Sequence, residues 1–342
     1  MDRAVLGRIG RLTVGMLVAV AAGNLLADAL NLRWKILGSR KHLVVYHHYQ
    51  AADGPVDAVF LGTSATRNAY VSRLIESELA EALDRPARVW NLGLPGGSPL
   101  PAPVVVRRLF REPRVPKVFV LEATPGYWNE LRRGNNMYTY WRWFAPAGHV
   151  LGSIGEVDRS FTTTGIRGMA RGLEGLWRAP TFVFPARKRN YELTRRRRGG
   201  AFGLAAIEAA ERGEWVDHEE DDETRQPLGI KPLRFGDRWT ETLDETARLC
   251  AERGVQFVLV NIPAREDVAG YYDEGDYEAF MEWMSEQAER LGVPFYDLNV
   301  DDWRGPTESF SAFIHLSPLG ARDYGTRFSR EILTPLLKAE GA

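Results

Sequence analysis

The chain has 342 residues, 44% of them hydrophobic, which is enough for one large buried core, or for one core and a smaller insertion. A formal net charge of −1 gives no global attraction to nucleic acid, and 26% charged residues argue against a multi-span membrane protein. The single cysteine, Cys250, cannot form an internal disulfide, and the six histidines show no zinc-ligand spacing, so neither a metal nor another cofactor is expected.

The first predicted element is membrane-directed. Arg3, Arg8 and Arg11 precede an unbroken apolar run from Leu12 to Gly23, which continues through Asn24 and Asp28 to Leu32. The unbroken run has the length of a signal-peptide core, whereas the count to Leu32 reaches the roughly 20 residues that span a bilayer. Ala27 and Ala29 offer a small-x-small cleavage pattern, and Asp28 is tolerable in an anchor because it lies near the interface. Residues 1–33 are read as an anchor or signal segment, with the uncleaved anchor, spanning residues 12–32, favoured. Arg33, Lys35, Arg40 and Lys41 follow closely, so cations flank both sides and the positive-inside rule does not set orientation.

Residues 50–342 read as an α/β domain. Short apolar strands are predicted at Val56–Leu61, Ala87–Leu92, Lys117–Glu122, Val255–Ile262 and Val293–Leu298, separated by amphipathic helices as in a doubly wound parallel sheet. Val71, Leu74, Ile75, Leu79 and Leu83 recur at helical spacing after the first strand. Further helices are expected over Ala102–Arg111, Arg238–Arg253, Tyr277–Leu291 and Pro318–Leu337, with Gly254 and Gly292 as C-terminal caps. The rhythm is lost between Gly126 and Pro232, so residues 127–234 read as an insertion. Its start is crowded with Tyr127, Trp128, Tyr138, Tyr140, Trp141, Trp143 and Phe144, which fit either an aromatic lid over the sheet or the insertion's own small core. The basic run around Arg195–Arg198 and the acidic stretch Glu219–Glu223 read as solvated faces, and no nucleic-acid-binding motif accompanies them.

Three short motifs fall at predicted strand ends. The first strand runs into Gly62-Thr63-Ser64, which displays a hydroxyl beyond the carboxyl edge, where open α/β sheets bind ligands. Ser64 is a candidate nucleophile there; alternatively it caps a helix starting near Asn68. The second strand ends in Asn91-Leu92-Gly93-Leu94-Pro95-Gly96-Gly97, whose Gly96 N–H is a candidate oxyanion donor. His315 follows the last strand and precedes the last helix, over the same crevice as Ser64, which makes a Ser-His pair plausible against a merely structural histidine.

Together and in this order, these blocks resemble the SGNH, or GDSL-like, hydrolases, and most of all their membrane-anchored cell-envelope branch, which includes proteins of lipoteichoic acid D-alanylation and alginate O-acetylation. The resemblance covers the chain from about Val56 to the end, outside the insertion. It implies a three-layer α/β/α sandwich on a five-stranded parallel sheet of flavodoxin-like order. It implies that Ser64 is nucleophile and oxyanion donor, Gly96 a second donor and His315 the general base. The implied activity is that of a serine esterase or O-acyltransferase on acyl esters of envelope glycans or polymers. The domain would lie on the extracytoplasmic side, with a membrane acyltransferase as a conceivable partner. Two departures stand out. The third strand runs into Glu122-Ala123-Thr124, without the family's asparagine, for which Asn91 or Asn129 is a geometric substitute. The family's aspartate three residues before the histidine is Ala312 here. Asp301, Asp302 and Glu308 are then the candidate orienting acids, and the alternative is an impaired, SGNH-like binding or assembly protein.

Overall fold

A computed structural model describes residues 54–94, 97–99, 101–130, 204–214 and 232–339, together with Gly15, Ala22, Val45 and Tyr49. Its five-stranded sheet holds β1 (Val56–Leu61), β2 (Val89–Asn91), β3 (Pro116–Glu122), β4 (Gln256–Asn261) and β5 (Phe295–Asp297). The spatial order is β2-β1-β3-β4-β5, and every pairing is parallel. All five predicted strands are present. The two edge strands, β2 and β5, are shorter than their apolar runs, since each has a neighbour on one side only.

The helices follow in chain order as α1 (Ser64–Ala69), α2 (Ser72–Leu83), α3 (Ala102–Leu109), α4 (Pro125–Trp128), α5 (Leu204–Glu211), α6 (Asp237–Ala251), α7 (Asp276–Leu291), α8 (Asp301–Arg304), α9 (Pro318–Phe328) and α10 (Thr334–Ala339). Alternation along the strands divides the interior into two cores. Val59, Leu61, Phe119, Leu121 and Leu259 face α3, α6 and α7, whereas Ala58, Phe60, Val120 and Val258 face α1, α2, α9 and α10. Helices therefore cover both faces, as a parallel sheet requires. The last predicted helix is interrupted by a π-helical segment, Ser329–Leu333, between α9 and α10.

From β1 the chain steps outward to β2 through α1 and α2 on one face. It then returns past β1 to β3 through α3 on the other. The point between β1 and β3 is thus where the strand order reverses, and the crevice outside their carboxyl ends is the expected ligand site of such a sheet. A hairpin that the apolar pattern did not predict, β6 (Phe310–Ala312) with β7 (His315–Leu316), leads into α9 near the same edge.

The insertion is closed at its neck. Asn129 donates to the carbonyl of Pro232 (3.0 Å) and accepts from the N–H of Arg234 (3.1 Å), and Glu130 N–H donates to the carbonyl of Arg234 (2.8 Å). Its helix α5 buries Ile207 on the α9 face, where Glu211 pairs with Arg322 at 2.8 Å. Of the aromatic cluster, Tyr127 and Trp128 are core residues: Trp128 is fully buried, edge-on to Trp239 and Trp283. They form no lid; Tyr138, Tyr140, Trp141, Trp143 and Phe144 lie outside the described residues. The packed body also reaches back before residue 50, since Tyr49 is fully buried edge-on to Trp90.

Among the described residues no helix is long and apolar enough to cross a membrane, and the predicted segment 12–32 lies outside them apart from Gly15 and Ala22. Cys250 sits in α6 with no exposure, and burial pushes its thiol up to about 12. The thiolate is the reactive form, so at pH 8 the native protein is expected to resist a thiol reagent such as dithionitrobenzoate. One equivalent should react once denaturant is added, and rapid native-state reaction would contradict this packing.

Candidate functional site

Backbone geometry at the end of β1 decides where the serine points. Thr63 is the N-cap of α1, its Oγ1 accepting from Ala65 N–H at 3.0 Å, so Ser64 is the first helical residue and not the cap. That frees the Ser64 hydroxyl from capping. Its Oγ lies 2.7 Å from Nε2 of His315, across 251 positions of sequence. For Ser64 to donate, Nε2 must be the unprotonated nitrogen, with the ring proton on Nδ1. Ser64 and His315 are both half-buried, so the pair is closed from behind yet open to a ligand.

The histidine is held by the hairpin. Ala312 is the register partner of His315, with Phe313 and Ile314 forming the turn. Ser311 Oγ donates to the carbonyls of His315 (3.3 Å) and Leu316 (3.4 Å), and Ser317 caps α9 by accepting from Gly320 N–H at 3.2 Å. The turn itself is fastened to the loop after β4. Arg265 N–H donates to the Phe313 carbonyl (2.8 Å), and the Arg265 guanidinium lies 4.8 Å over the Phe313 ring, which Tyr271 meets edge-on.

Beneath Ser64 is a feature that the motif reading missed. Glu122, the last residue of β3, is 2% exposed and its carboxylate is ringed by hydroxyls and N–H groups. Thr63 donates to it through its backbone N–H (2.6 Å) and through Oγ1 (2.9 Å). Thr66 does the same through N–H (3.4 Å) and Oγ1 (2.7 Å), and Thr124 Oγ1 donates at 2.5 Å. A Cβ on Gly62 would lie 2.0 Å from Thr66 Oγ1 and 2.3 Å from Glu122 Oε2, so only glycine leaves room for this arrangement. The available signal was an acidic residue directly after the apolar run Val118–Leu121, beside the Thr63-Ser64-Ala65-Thr66 spacing.

The candidate oxyanion donors divide. No hydrogen bond engages Ser64 N–H among the described residues, which leaves it for a ligand. Gly96 lies outside the described residues. Asn91 does not serve: its Nδ2 donates to the carbonyls of Thr66 (2.9 Å), Arg67 (3.3 Å) and Tyr70 (2.7 Å), and its Oδ1 accepts from Gly93 N–H at 2.9 Å. It is a strut that ties the end of α1 to β2. A Cβ at Gly93 would come within 2.5 Å of Arg67 N, which marks how closely the two backbones meet there. Asn129 is equally committed, at the neck of the insertion.

The expected orienting acids are not brought to the imidazole. Asp301 pairs with Arg304 at 3.2 Å with its side chain 98% exposed, Asp302 and Glu308 are exposed, and none of the three is hydrogen-bonded to His315. They belong to α8 and the turn after it, which solvates its acids. Among the described residues no three His, Cys, Asp or Glu side chains gather as a metal site.

Comparison with known proteins identifies no relative: no protein-family model matches the chain, and no curated protein matches it either.

The geometry of Asn91 makes a distinction that stability can read. Its replacement by alanine takes the Nδ2 donor from the buried Tyr70 carbonyl and the Oδ1 acceptor from Gly93 N–H, while the Thr66 carbonyl keeps the Tyr70 N–H, and each buried polar group left unpaired costs about 1–3 kcal/mol. Asn91→Ala is expected to lower Tm by roughly 5–10 °C in a thermal melt. An unchanged Tm would return Asn91 to the list of groups free to bind substrate.

Proposed function

We propose that the chain is a membrane-tethered, SGNH-like serine esterase or O-acyltransferase acting on acyl esters of envelope glycans or polymers, with its domain on the extracytoplasmic side. The observation that carries this reading is the 2.7 Å contact between Ser64 Oγ and His315 Nε2 at the carboxyl edge of a parallel sheet with the 2-1-3-4-5 order. The order of the three motif blocks along the chain and the flavodoxin-like strand arrangement support the family assignment. The substrate class rests on the family resemblance.

In this mechanism Ser64 Oγ attacks the acyl carbonyl carbon while His315 Nε2 takes its proton. The new C–O bond gives a tetrahedral oxyanion, which the N–H of Ser64 and that of Gly96 would stabilise. Collapse breaks the bond to the leaving oxygen, which receives the proton from the imidazolium, and an acyl-Ser64 remains. A second hydroxyl, from water or from a sugar, then attacks this ester as His315 removes its proton, and the returning proton regenerates Ser64. Water as acceptor makes the protein an esterase, and a glycan hydroxyl makes it a transferase.

A second reading is favoured by Ala312 and by Asp301, Asp302 and Glu308 making no hydrogen bond to the imidazole: a binding or assembly protein that keeps the crevice without turnover. A serine-directed fluorophosphonate separates the two. Covalent labelling of wild type at Ser64, abolished in Ser64→Ala and reduced at least about a hundredfold in His315→Ala, is expected for the enzyme. Folded protein that takes no label would establish the binder.

The hairpin register provides a gain-of-function test. Side chains of register partners share one face of a two-stranded ribbon, so a carboxylate at 312 would stand beside His315. Ala312→Asp is expected to raise the labelling rate by about tenfold or more, since the acid holds the productive tautomer and stabilises the imidazolium. A folded variant labelled no faster than wild type would show that the ring is already oriented by other means.

A further inference from the structure

An ionised carboxylate removed from water is costly, and it is tolerated where donors or cations replace its hydration. Glu122 has only the donors. Among the described residues no lysine, arginine or histidine is paired with it, while two backbone N–H groups and three threonine hydroxyls converge on its two oxygens. Every other buried position from Val118 to Leu121 in β3 is apolar, and replacing a buried charge by a well-packed apolar group is often neutral or stabilising. Packing alone therefore gives no reason for a carboxylate here.

Its bonds point to a role at the nucleophile. They grip Thr63, immediately before Ser64, and Thr66, within the same helical turn, so the backbone that carries the Ser64 Oγ is fixed on both sides. From the way this cage frames the reactive hydroxyl, we infer that Glu122 is a positioning residue for the Ser64–His315 pair: it locks the first turn of α1 through Thr63 and Thr66, and its charge favours the imidazolium of His315. The kinetic half of this inference rests on the acyl-transfer reading; the effect on the imidazole does not.

Among the described residues, the other acids near the hairpin are engaged elsewhere or face solvent. Arg265 and Asp267, beside the hairpin turn, neutralise each other through bonds of 2.7 and 2.8 Å. Arg304 pairs with Asp301, and Glu308 faces solvent. Arg67, on α1 itself, is a cation whose charge acts in the opposite sense. Behind Glu122, the hydroxyls of Tyr70 and Tyr324 are held neutral, pushed far up mainly by burial, with the Glu122 charge adding to both. The same negative charge works against an oxyanion, so its net effect on rate is a difference. Its effect on the imidazole has one sign.

The test uses the full-length protein in detergent micelles, with ring-labelled histidine followed by NMR against pH and His315→Ala to assign the resonance. In Glu122→Gln the midpoint of His315 is expected to fall, on the order of half a unit to one unit, because an attractive charge has been removed. Glu122→Asp, which keeps the charge, should retain most of the wild-type midpoint. Fluorophosphonate labelling at the alkaline plateau should slow about tenfold in Thr66→Val and recover in Thr66→Ser, as expected when a reacting group is slightly misplaced. A folded Glu122→Gln protein with an unmoved His315 midpoint overturns the inference, and so does a Thr66→Val protein that labels at the wild-type rate. Should Glu122→Gln fail to fold, the Thr66 pair decides by itself. A wild-type protein that takes no label, combined with a lowered midpoint in Glu122→Gln, removes the acyl-transfer reading and leaves the hold of Glu122 on the imidazole standing.

Discussion

The crevice is organised by one buried carboxylate. Ending β3 on Glu122 places a charge where the sheet's order reverses, and the surrounding chain has to satisfy it. Threonines at 63, 66 and 124 supply the hydroxyls, the first turn of α1 supplies two N–H groups, and Gly62 vacates the volume that a methyl group would need. These substitutes for hydration must offset a penalty of several kcal/mol for an ion removed from water. The end of β3 is fixed in turn, with Trp128 Nε1 donating to the Glu122 carbonyl at 2.8 Å and Ala123 N–H to that of Val260 at 2.7 Å. The strand that presents the carboxylate and the helix that presents the serine thus form one rigid corner.

Much of the scaffold was legible in the sequence because a parallel sheet buried on both faces writes each strand as a short apolar run. Val56–Leu61 is buried at every position, and so is the stretch from Val118 to Glu122, which is why five strands could be found with no partner in view. The contact between positions 64 and 315 was legible only in part. Both residues come after strands of the parallel sheet along the chain, Ser64 after β1 and His315 after β5, and strand ends in such a sheet converge on one edge. The hairpin β6–β7 was not visible, because paired segments of three and two residues carry no periodicity. It is nevertheless the element that sets which way the imidazole points.

The misreadings share a cause: polar side chains have more than one use, and sequence position does not choose among them. An asparagine ending a strand offers its N–H groups equally to an oxyanion or to nearby carbonyls, and Asn91 meets three carbonyls of α1 before it can meet a ligand. Acids in a loop before a histidine are equally ambiguous, and Asp301 finds Arg304 within its own short helix. Tyr127 and Trp128 resemble the rings that follow them in sequence, but α4 turns Trp128 onto Trp239 and Trp283 of the nearby helices and sets Tyr127 edge-on to Trp128. Glu122 was passed over because its strand was judged by what it lacked, the expected asparagine.

The distance between the serine and the histidine is a property of packing well below either group. Ser64 moves with α1, whose C-cap is Tyr70, and His315 runs into α9, which carries Tyr324 and Phe328. Those two helices are joined by a 3.0 Å bond between the Tyr70 and Tyr324 hydroxyls and by ring contacts. Tyr70 stacks on Phe60 of β1 at 3.9 Å, and Phe328 lies edge-on to Tyr70 at 5.1 Å. Rings in such a cluster cannot slide without losing contact over large faces, so the two helices hold one relative position. A hydrogen bond of 2.7 Å between half-exposed groups is a weak constraint by itself. Here it is the visible end of an aromatic clamp, and the chemistry at the crevice depends on that clamp as much as on the two side chains that meet there.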